Sequence, residues 1–508
     1  MKILLVAAEV APYSKVGGLS QVVYFLANSL NKQGHDVRIF TAKYGVIQLK
    51  KSFKKVVKNI KVPTGYKGKR YPTELICNIV TNQTKTPQVY FLENREYFEL
   101  RSNVYDYSDD HIRFFLLSRG CLEWLRYQRR EKGWLPQAIH VHDWHTSYLC
   151  EDLRENDRYK REFSRIPILL TVHNFHMQGK LNFQLLAKEQ RDKGKGSLKH
   201  FFHKKLITQN PLLRGIIYAD WVNTVSEAHS REVLTREYGE GLDEELNKYK
   251  GKLSGILNGL DTKEFNPLTD PLVKKNYSRR SIYLRKKNKA DLQRKFDLNV
   301  SAETPLLAYS GRLAKQKGIE LLFECIPRLV AEFDFQFIIL GGGNASYTRE
   351  IQKLKQKYPE KIAVHLYIDF KLPRKIFAGA DMVLLPSIYE PCGIVAMEAL
   401  RYGAIPVVRK TGGLGDIVTD FSSHDMKGNG FVFKKADPWS LYAVMVRGLE
   451  VYRFPKLWKK LIDNAMASNF SWDKAAKEYE KLYRRVLKLR REFVKDNPHL
   501  SRYPSLLK

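Results

Sequence analysis

Lys2-Ile-Leu-Leu-Val-Ala-Ala-Glu9, then Val-Ala-Pro-Tyr-Ser-Lys15-Val-Gly17-Gly18-Leu19, then Ser20-Gln-Val-Val-Tyr-Phe-Leu-Ala-Asn-Ser-Leu30 sets the architecture of this chain in its first thirty residues. The opening run is apolar and of strand length. Two glycines make a turn, and Val22, Val23, Leu26, Ala27 and Leu30 then fall on one stripe of a helix that Gly34 stops. The start also mimics a signal peptide, with one lysine before a short apolar stretch. Glu9 interrupts that stretch and no small-residue cleavage site follows, so a buried first strand is the reading.

The unit recurs outward from there. Strand-like runs lie at 36–42, 74–80, 87–92, 137–142, 166–172 and 221–225, with helical patterns at 109–128, 145–155 and 212–219 between them. Strand, turn, helix and strand in repetition predict parallel strands with crossover helices, a doubly wound sheet. After a turn-rich stretch between Gly251 and Pro267 the pattern restarts. A basic helix is expected over 279–296, strands at 305–310, 335–341, 362–367, 381–386, 404–409 and 430–433, and helices at 317–332, 346–357, 372–379, 394–402 and 438–451. One long helical pattern runs over 471–496, before Pro498.

The total of 508 residues demands such a division, because single cores stop growing near ~250–300 residues. Expected are a Rossmann-like domain over 1–252, a second over 253–470, and a terminal helix in 471–508 that returns to the first. A composition 44% hydrophobic, 12% aromatic and 28% charged excludes disorder, collagen and coiled coil. Five cysteines without a C-x-x-C pair exclude a disulfide scaffold and a zinc ribbon and point to a reducing cytoplasm. No apolar run reaches the ~20 residues of a membrane helix, and no membrane partner is expected.

The net charge of +33 is clumped at 50–70, 274–295 and 481–508. Solvated helix faces and loops account for such runs. Nucleic-acid binding would want basic and aromatic residues interleaved in a recognisable module, and none is found, so no nucleic acid is expected.

Ligands of doubly wound sheets bind beyond the carboxyl ends of the strands. At the first such end, Gly17 and Gly18 let backbone amides approach an anion ahead of a helix, and Lys15 adds a full charge. The spacing is not that of a G-x-x-x-x-G-K-[ST] phosphate loop. Two histidine clusters end strands, His140-Val-His142-Asp143-Trp144-His145 and Thr171-Val-His173-Asn174-Phe175-His176. Hydrogen bonding to a polar ligand explains them better than a metal, so no metal site is expected. Arg312 and Lys317, in Ser310-Gly311-Arg312-Leu313-Ala-Lys-Gln-Lys317-Gly318, place two cations at a helix entrance, an arrangement suited to a diphosphate. In Pro386-Ser-Ile-Tyr-Glu390-Pro391-Cys392-Gly393-Ile-Val-Ala-Met-Glu398, the two glutamates would be roughly 12 Å apart along a helix. That reach suits hydroxyls on two different sugar rings. Thr411-Gly412-Gly413-Leu414 offers a second amide cradle.

In series these segments resemble the bacterial and plant glycogen/starch synthases, retaining glycosyltransferases of the GT-B fold. The resemblance is carried by Lys15-Val-Gly-Gly-Leu19, His142-Asp-Trp-His145, Thr171-Val-His-Asn174, Ile256-Leu-Asn-Gly259 with Asp261, Gly311-Arg-Leu313 with Gln316-Lys-Gly318, Glu390-Pro-Cys-Gly393 and Thr411-Gly-Gly-Leu414, over residues 1 to about 480. Asn94-Arg-Glu-Tyr-Phe-Glu-Leu100 and Phe470-Ser-Trp-Asp473 also look like the family.

The resemblance implies an α/β protein with two Rossmann-like domains, a cleft between them and a C-terminal helix crossing back. It implies transfer of glucose from ADP-glucose, or UDP-glucose, to the non-reducing end of an α-1,4-glucan with retention of configuration and no cofactor. Lys15 with its glycines, Arg312 and Lys317 would hold the diphosphate, Glu390 the transferred glucose and Glu398 the ribose. His173 would lie beside the anomeric centre and Asn258 near sugar or phosphate. Asp143 would border the acceptor channel, and Tyr367 would stack on the nucleobase. Cys392 is read as a small lining residue beside Gly393. Where such synthases commonly carry an acid two residues after Gly-Gly-Leu, this chain has Gln21, which hydrogen-bonds a hydroxyl without charge assistance. Other GT-B transferases share the diphosphate and Glu390 features without needing both histidine clusters. A non-catalytic relative would be marked by loss of Lys15, His173, Arg312, Lys317 or Glu390, and none is lost. Nucleotide preference and oligomeric state are not legible in the sequence.

Overall fold

The computed structural model describes residues 1–48, 53–82, 87–367, 369 and 371–497. Residues 50–52 of the first basic run and 498–508 of the last lie outside them. The chain folds into two compact units: Met1–Val225 with Ser230–Gly259 and the chain from Trp472 on, and Ser226–His229 with Leu260–Ser471.

The first unit is built on nine strands among the described residues: β1 (Lys2–Val6), β2 (Asp36–Ala42), β3 (Lys54–Pro63), β4 (Glu74–Thr81), β5 (Gln88–Glu93), β6 (Ala138–His142), β7 (Ile168–Val172), β8 (Trp221–Thr224) and β9 (Leu253–Gly255). They lie in the order β3-β4-β5-β2-β1-β6-β7-β8-β9. β1 is central, parallel to both β2 and β6, and Ile3 to Val6 have no exposed surface. Such two-sided burial is what an unbroken apolar strand encodes.

The repeat is not parallel throughout. β4 runs antiparallel to both β3 and β5; among the described residues the links, 64–73 and 82–87, carry no crossover helix of the kind that a parallel return uses. β3 itself lies inside the basic run read as solvated surface. Its Val57 and Val62 are buried while Lys54, Lys55, Lys58 and Lys61 face water. Lysines on an outermost strand discourage pairing with another sheet edge.

The helix Trp472–Asp496 belongs to this unit and packs on the helix Gly18–Lys32. Its buried stripe runs through Trp472, Ala476, Tyr479, Tyr483, Val486 and Arg490, the three-and-four spacing of a helix face. Arg490, part of the last basic run, is interior: it donates to the Ser164 carbonyl at 2.9 Å and pairs with Asp220 at 3.1 Å. Gly259 is held to hydrogen at its α-carbon, since a Cβ there would sit 2.6 Å from the Cα of Trp472.

The second unit carries six parallel strands among the described residues: β10 (Leu306–Ser310), β11 (Gln336–Leu340), β12 (Ile362–His365), β13 (Met382–Leu385), β14 (Ile405–Arg409) and β15 (Phe431–Phe433). Their order is β12-β11-β10-β13-β14-β15, doubly wound with a switch beside β10. The 274–295 run is a short 3-10 turn and then a helix, Arg285–Lys295. It is not wholly solvated. Arg285 is buried and donates to the carbonyls of Tyr402 and Phe377, both at 3.1 Å. Lys289 is buried too, 2.8 Å from Asp381 and 3.0 Å from the Tyr452 hydroxyl. These two cations are struts, with Asp381 offsetting their charge. Among the described residues no helix is long and apolar enough to cross a membrane.

Candidate functional site

In the first unit the carboxyl end of β1 delivers Glu9 into the interior. Its carboxylate accepts the amide of Val16 at 2.6 Å and that of Gly17 at 3.2 Å, and Tyr105 adds a side-chain hydrogen bond. Burial raises the Glu9 pKa, and the two amides pull it back. The loop is thereby pinned with Lys15, Val16, Gly17 and Gly18 exposed. The helix that follows has no side-chain cap and no acid in its first turn, so its amino end keeps its positive character. Gln21 lies in that turn, partly buried. Sequence reasoning noted Glu9 only as an interruption. An acid inside a buried run was the available sign that something must be satisfying it.

The two histidine clusters join beside it. Asp143 begins the helix Asp143–Glu155 at φ +56, a strained start for a non-glycine residue. Its carboxylate accepts the amide of His173 at 2.7 Å and also that of Asn174, and burial pushes its pKa to about 7. Asp143 is buried and holds the 173 loop through these two amides. His173 Nε2 lies 3.1 Å from His142 Nδ1. The His142 ring stacks on His140 with centroids 4.1 Å apart, and His140 bonds Thr171 and the Tyr483 hydroxyl, both at 2.7 Å. A buried polar line thus runs from the terminal helix to His173. The sequence could not show it, since His140 and Tyr483 are 343 positions apart.

Burial lowers the pKa of all three imidazoles, that of His173 to about 3, so they are neutral at pH 7. A base held below its unfolded pKa of ~6.5 binds fewer protons folded than unfolded. Stability is then lost as pH falls through ~6.5. His140→Asn is expected to make the acid limb between pH 6.5 and 5 shallower by up to about 1.4 kcal/mol per pH unit, read from urea midpoints. The opposing titration of Asp143 is common to both proteins. His145, by contrast, packs between Trp144 and Phe114 as part of the aromatic core. Asn258 is buried, and among the described residues nothing hydrogen-bonds its side-chain oxygen.

In the second unit the chemistry gathers around Glu390. Lys317 Nζ lies 2.5 Å from Glu390 Oε2, and the Ser387 hydroxyl donates to the same oxygen at 3.0 Å. The loops carrying them are knitted together: the Ile388 amide donates to the Gln316 carbonyl at 2.9 Å, and the Gln316 side chain returns to the Tyr389 carbonyl at 3.3 Å. Arg409 braces the Ser387 carbonyl at 2.8 Å. Gly318 permits this approach. It has φ +67, and a Cβ there would overlap the Pro386 carbonyl oxygen. Gly413 is pressed as closely on Cys392, and its amide donates to the Glu390 carbonyl at 3.1 Å.

Arg312 is exposed, its carbonyl held by the Tyr309 hydroxyl at 2.7 Å. Gly393, at φ +85, caps the helix Ile394–Arg401, which carries Glu398 partly buried. Cys392, Thr411 and Gly412 are buried beside the same loop. Tyr367 stands apart, 75% exposed just beyond β12 and edge-on to His365. Among the described residues no group of His, Cys, Asp and Glu is arranged to hold a metal ion.

Comparison with known proteins gives one answer at every level. Residues 2–248 match the model described as "Starch synthase catalytic domain", and residues 292–465 match "Glycosyl transferases group 1". The chain is 37% identical over 494 residues to a protein named glycogen synthase from Geotalea daltonii, covering 96% of this chain and 99% of that one. A glycogen synthase from Thermosipho melanesiensis is 36% identical over 493 residues, covering 96% and 100%. Among solved structures, the catalytic domain of starch synthase IV from Arabidopsis thaliana, bound to ADP and acarbose, superposes with a TM-score of 0.81. It is 31% identical and covers 96% of this chain and 99% of that chain. Sucrose-phosphate synthase from Thermosynechococcus elongatus, at 19% identity and TM-score 0.58 over 96% of this chain and 100% of that one, shares the fold. The chain belongs to the glycogen and starch synthase family of glycosyltransferases.

Proposed function

We propose that the protein transfers glucose from ADP-glucose, with UDP-glucose as the alternative donor, to the non-reducing end of an α-1,4-glucan, retaining the α configuration. The observation that carries this reading is the Lys317–Glu390 pair, held by two interlocked loops at the carboxyl ends of β10 and β13. A cation to receive phosphate and an acceptor for sugar hydroxyls stand side by side, each neutralising the other until a donor separates their roles. The ADP and acarbose bound to the Arabidopsis enzyme are a nucleoside diphosphate and a saccharide, the two ligand classes this reading requires.

In the step itself, the bond between C1 and the diphosphate oxygen breaks and its electron pair leaves with the diphosphate. The acceptor hydroxyl forms the new bond to C1 on the same face and gives its proton to the departing phosphate. Arg312 and Lys317 offset the charge that develops on that phosphate, which is where fixed donors accelerate a reaction most. Lys15 and the amides at Gly17 and Gly18 are assigned to the same diphosphate. Glu390 takes glucose hydroxyls, Glu398 the ribose and Tyr367 the base, while Thr411, Gly412 and Gly413 shape the loop around Glu390. His173, neutral at pH 7, serves as a hydrogen-bonding group near C1. These cations supply the charge that a metal would otherwise supply, so no metal cofactor is needed.

The test is incorporation of labelled glucose into glycogen from ADP-glucose and UDP-glucose side by side, with and without a chelator. Incorporation from ADP-glucose that survives chelation and releases as α-linked glucose is expected. Failure with both donors overturns the reading, and transfer to a different acceptor would move the protein to another branch of the fold.

A further inference from the structure

Residues 64–73 and 195–205 are remote in sequence, and neither reads as a binding module alone. In the first unit they form one surface. The Phe201 amide donates to the Thr64 carbonyl at 3.1 Å, and the Phe201 ring is buried against Phe115 with centroids 4.7 Å apart. Beneath them Arg119 donates to the Pro63 carbonyl at 3.1 Å and to both oxygens of Asp152, at 2.7 and 3.1 Å. Both segments are therefore tied to the core, so whatever they display is held in fixed relation.

What they display is aromatic and cationic. Tyr66 packs edge-on against Tyr71 at 5.3 Å and His200 at 5.0 Å, and Tyr71 stacks on Phe202 at 4.8 Å. In the same segments Lys67, Lys69, Arg70, Lys199, Lys204 and Lys205 are exposed beside these half-buried rings. The two segments contain no Asp, Glu, Asn or Gln. Among the described residues none of those six cations is in an ion pair, whereas Lys61 just outside pairs with Glu74 at 3.4 Å. Neutral sugar would find acceptors here in the hydroxyls and imidazoles of Tyr, Thr, Ser and His, but it would leave the lysines and the arginine, which supply only donors, without a counter-charge. Six exposed cations without an ion pair, on segments tied to the core, call for an anion.

We propose that this surface binds α-glucan chains that carry phosphate monoesters, with the esters against the cations and the apolar sugar faces against Tyr66, Tyr71 and Phe202. The proposal rests on the glucan-transfer reading above. Single-stranded nucleic acid would meet the same rings and cations. A phosphorylated glucan is favoured because a second grip on the polymer being extended raises the effective concentration of its chain ends, a gain nucleic acid would not bring.

The experiment compares retention of the protein on chemically phosphorylated glycogen and on its unmodified parent, at about physiological ionic strength, with poly-uridylate as competitor. The variant is Lys67→Gln/Lys69→Gln/Arg70→Gln/Lys204→Gln/Lys205→Gln, all at exposed positions, with its urea midpoint checked against the parent protein. The parent protein is expected to bind the phosphorylated polymer about tenfold tighter or more, the scale of one or two charge-assisted contacts. The variant is expected to lose that preference while extending short maltooligosaccharides at the parent rate. Equal retention on the two polymers, an unchanged preference in the variant, or displacement by poly-uridylate at lower concentration than by free phosphorylated glucan overturns the proposal. A phosphate preference in a protein that extends no glucan with either donor leaves this surface standing and removes the transfer reading. Extension without the preference does the reverse.

Discussion

Lys317→Ala is expected to lower turnover about a hundred- to a thousandfold, the loss seen when one fixed donor to a developing anion is removed, while the urea midpoint barely moves. The two halves of that expectation have separate causes. In the mechanism proposed above, turnover falls because the lysine's positive charge offsets that of the leaving diphosphate, which grows as the bond to C1 breaks. Stability holds because Lys317 is only partly buried and its one ion pair, with Glu390, keeps solvent contact on both sides. Exposed pairs contribute on the order of 1 kcal/mol or less, and one with this residual solvent contact somewhat more. Glu390 is not stranded by the change, since Ser387 still donates to the same carboxylate oxygen. Single-turnover assays with saturating ADP-glucose separate the chemical step from donor binding. Near-normal turnover in a folded variant would take Lys317 out of the reaction.

Most of the fold was legible because the strands buried on both faces are announced locally. β1, β10 and β13 are unbroken apolar runs flanked by turn residues, and burial on both faces leaves them little else to be. β3 was not legible, because an outermost strand needs apolar residues on one face only and here fills the other with lysine, which reads as a charge run. The same ambiguity hid Arg285, Lys289 and Arg490. A cation in a basic segment looks solvated until the carbonyls and carboxylates that receive it, many positions away, are in place.

The candidate site divides along the same line. Lys15, Arg312, Lys317 and Glu390 could be named because their residue types sit in recognisable loops. What orients them could not be named. Glu9 holds the Lys15 loop within a local turn, whereas Asp143 behind the His173 loop and the His140–Tyr483 bond join residues 30 and 343 positions apart. The surface at Tyr66 and His200 escaped because Tyr66-Lys-Gly-Lys-Arg-Tyr71 and Lys199-His-Phe-Phe-His-Lys-Lys205 each interleave rings and cations over a few residues only, and become one surface when folding joins them.

Gly318→Ala should damage both stability and turnover, in contrast to the change next to it. The residue occupies the left-handed region at φ +67, which costs any side chain about 1 kcal/mol or more. The added methyl would also overlap the Pro386 carbonyl oxygen, which belongs to backbone and cannot rotate aside. The 315–318 turn must then retreat from the 386–390 loop, loosening the Ile388-to-Gln316 hydrogen bond that joins them. Together these amount to roughly 2–4 kcal/mol, measurable as a lowered urea midpoint. Turnover should fall about a hundredfold, because a displacement near 1 Å at groups that position a reacting bond has that consequence. The pair of variants therefore separates charge from placement. Lys317→Ala removes the cation and leaves the loops joined, whereas Gly318→Ala keeps the cation and parts them. If Gly318→Ala loses stability but keeps its rate, the interlock of the two loops serves folding alone, and the geometry around Glu390 tolerates more play than a transition-state donor set can.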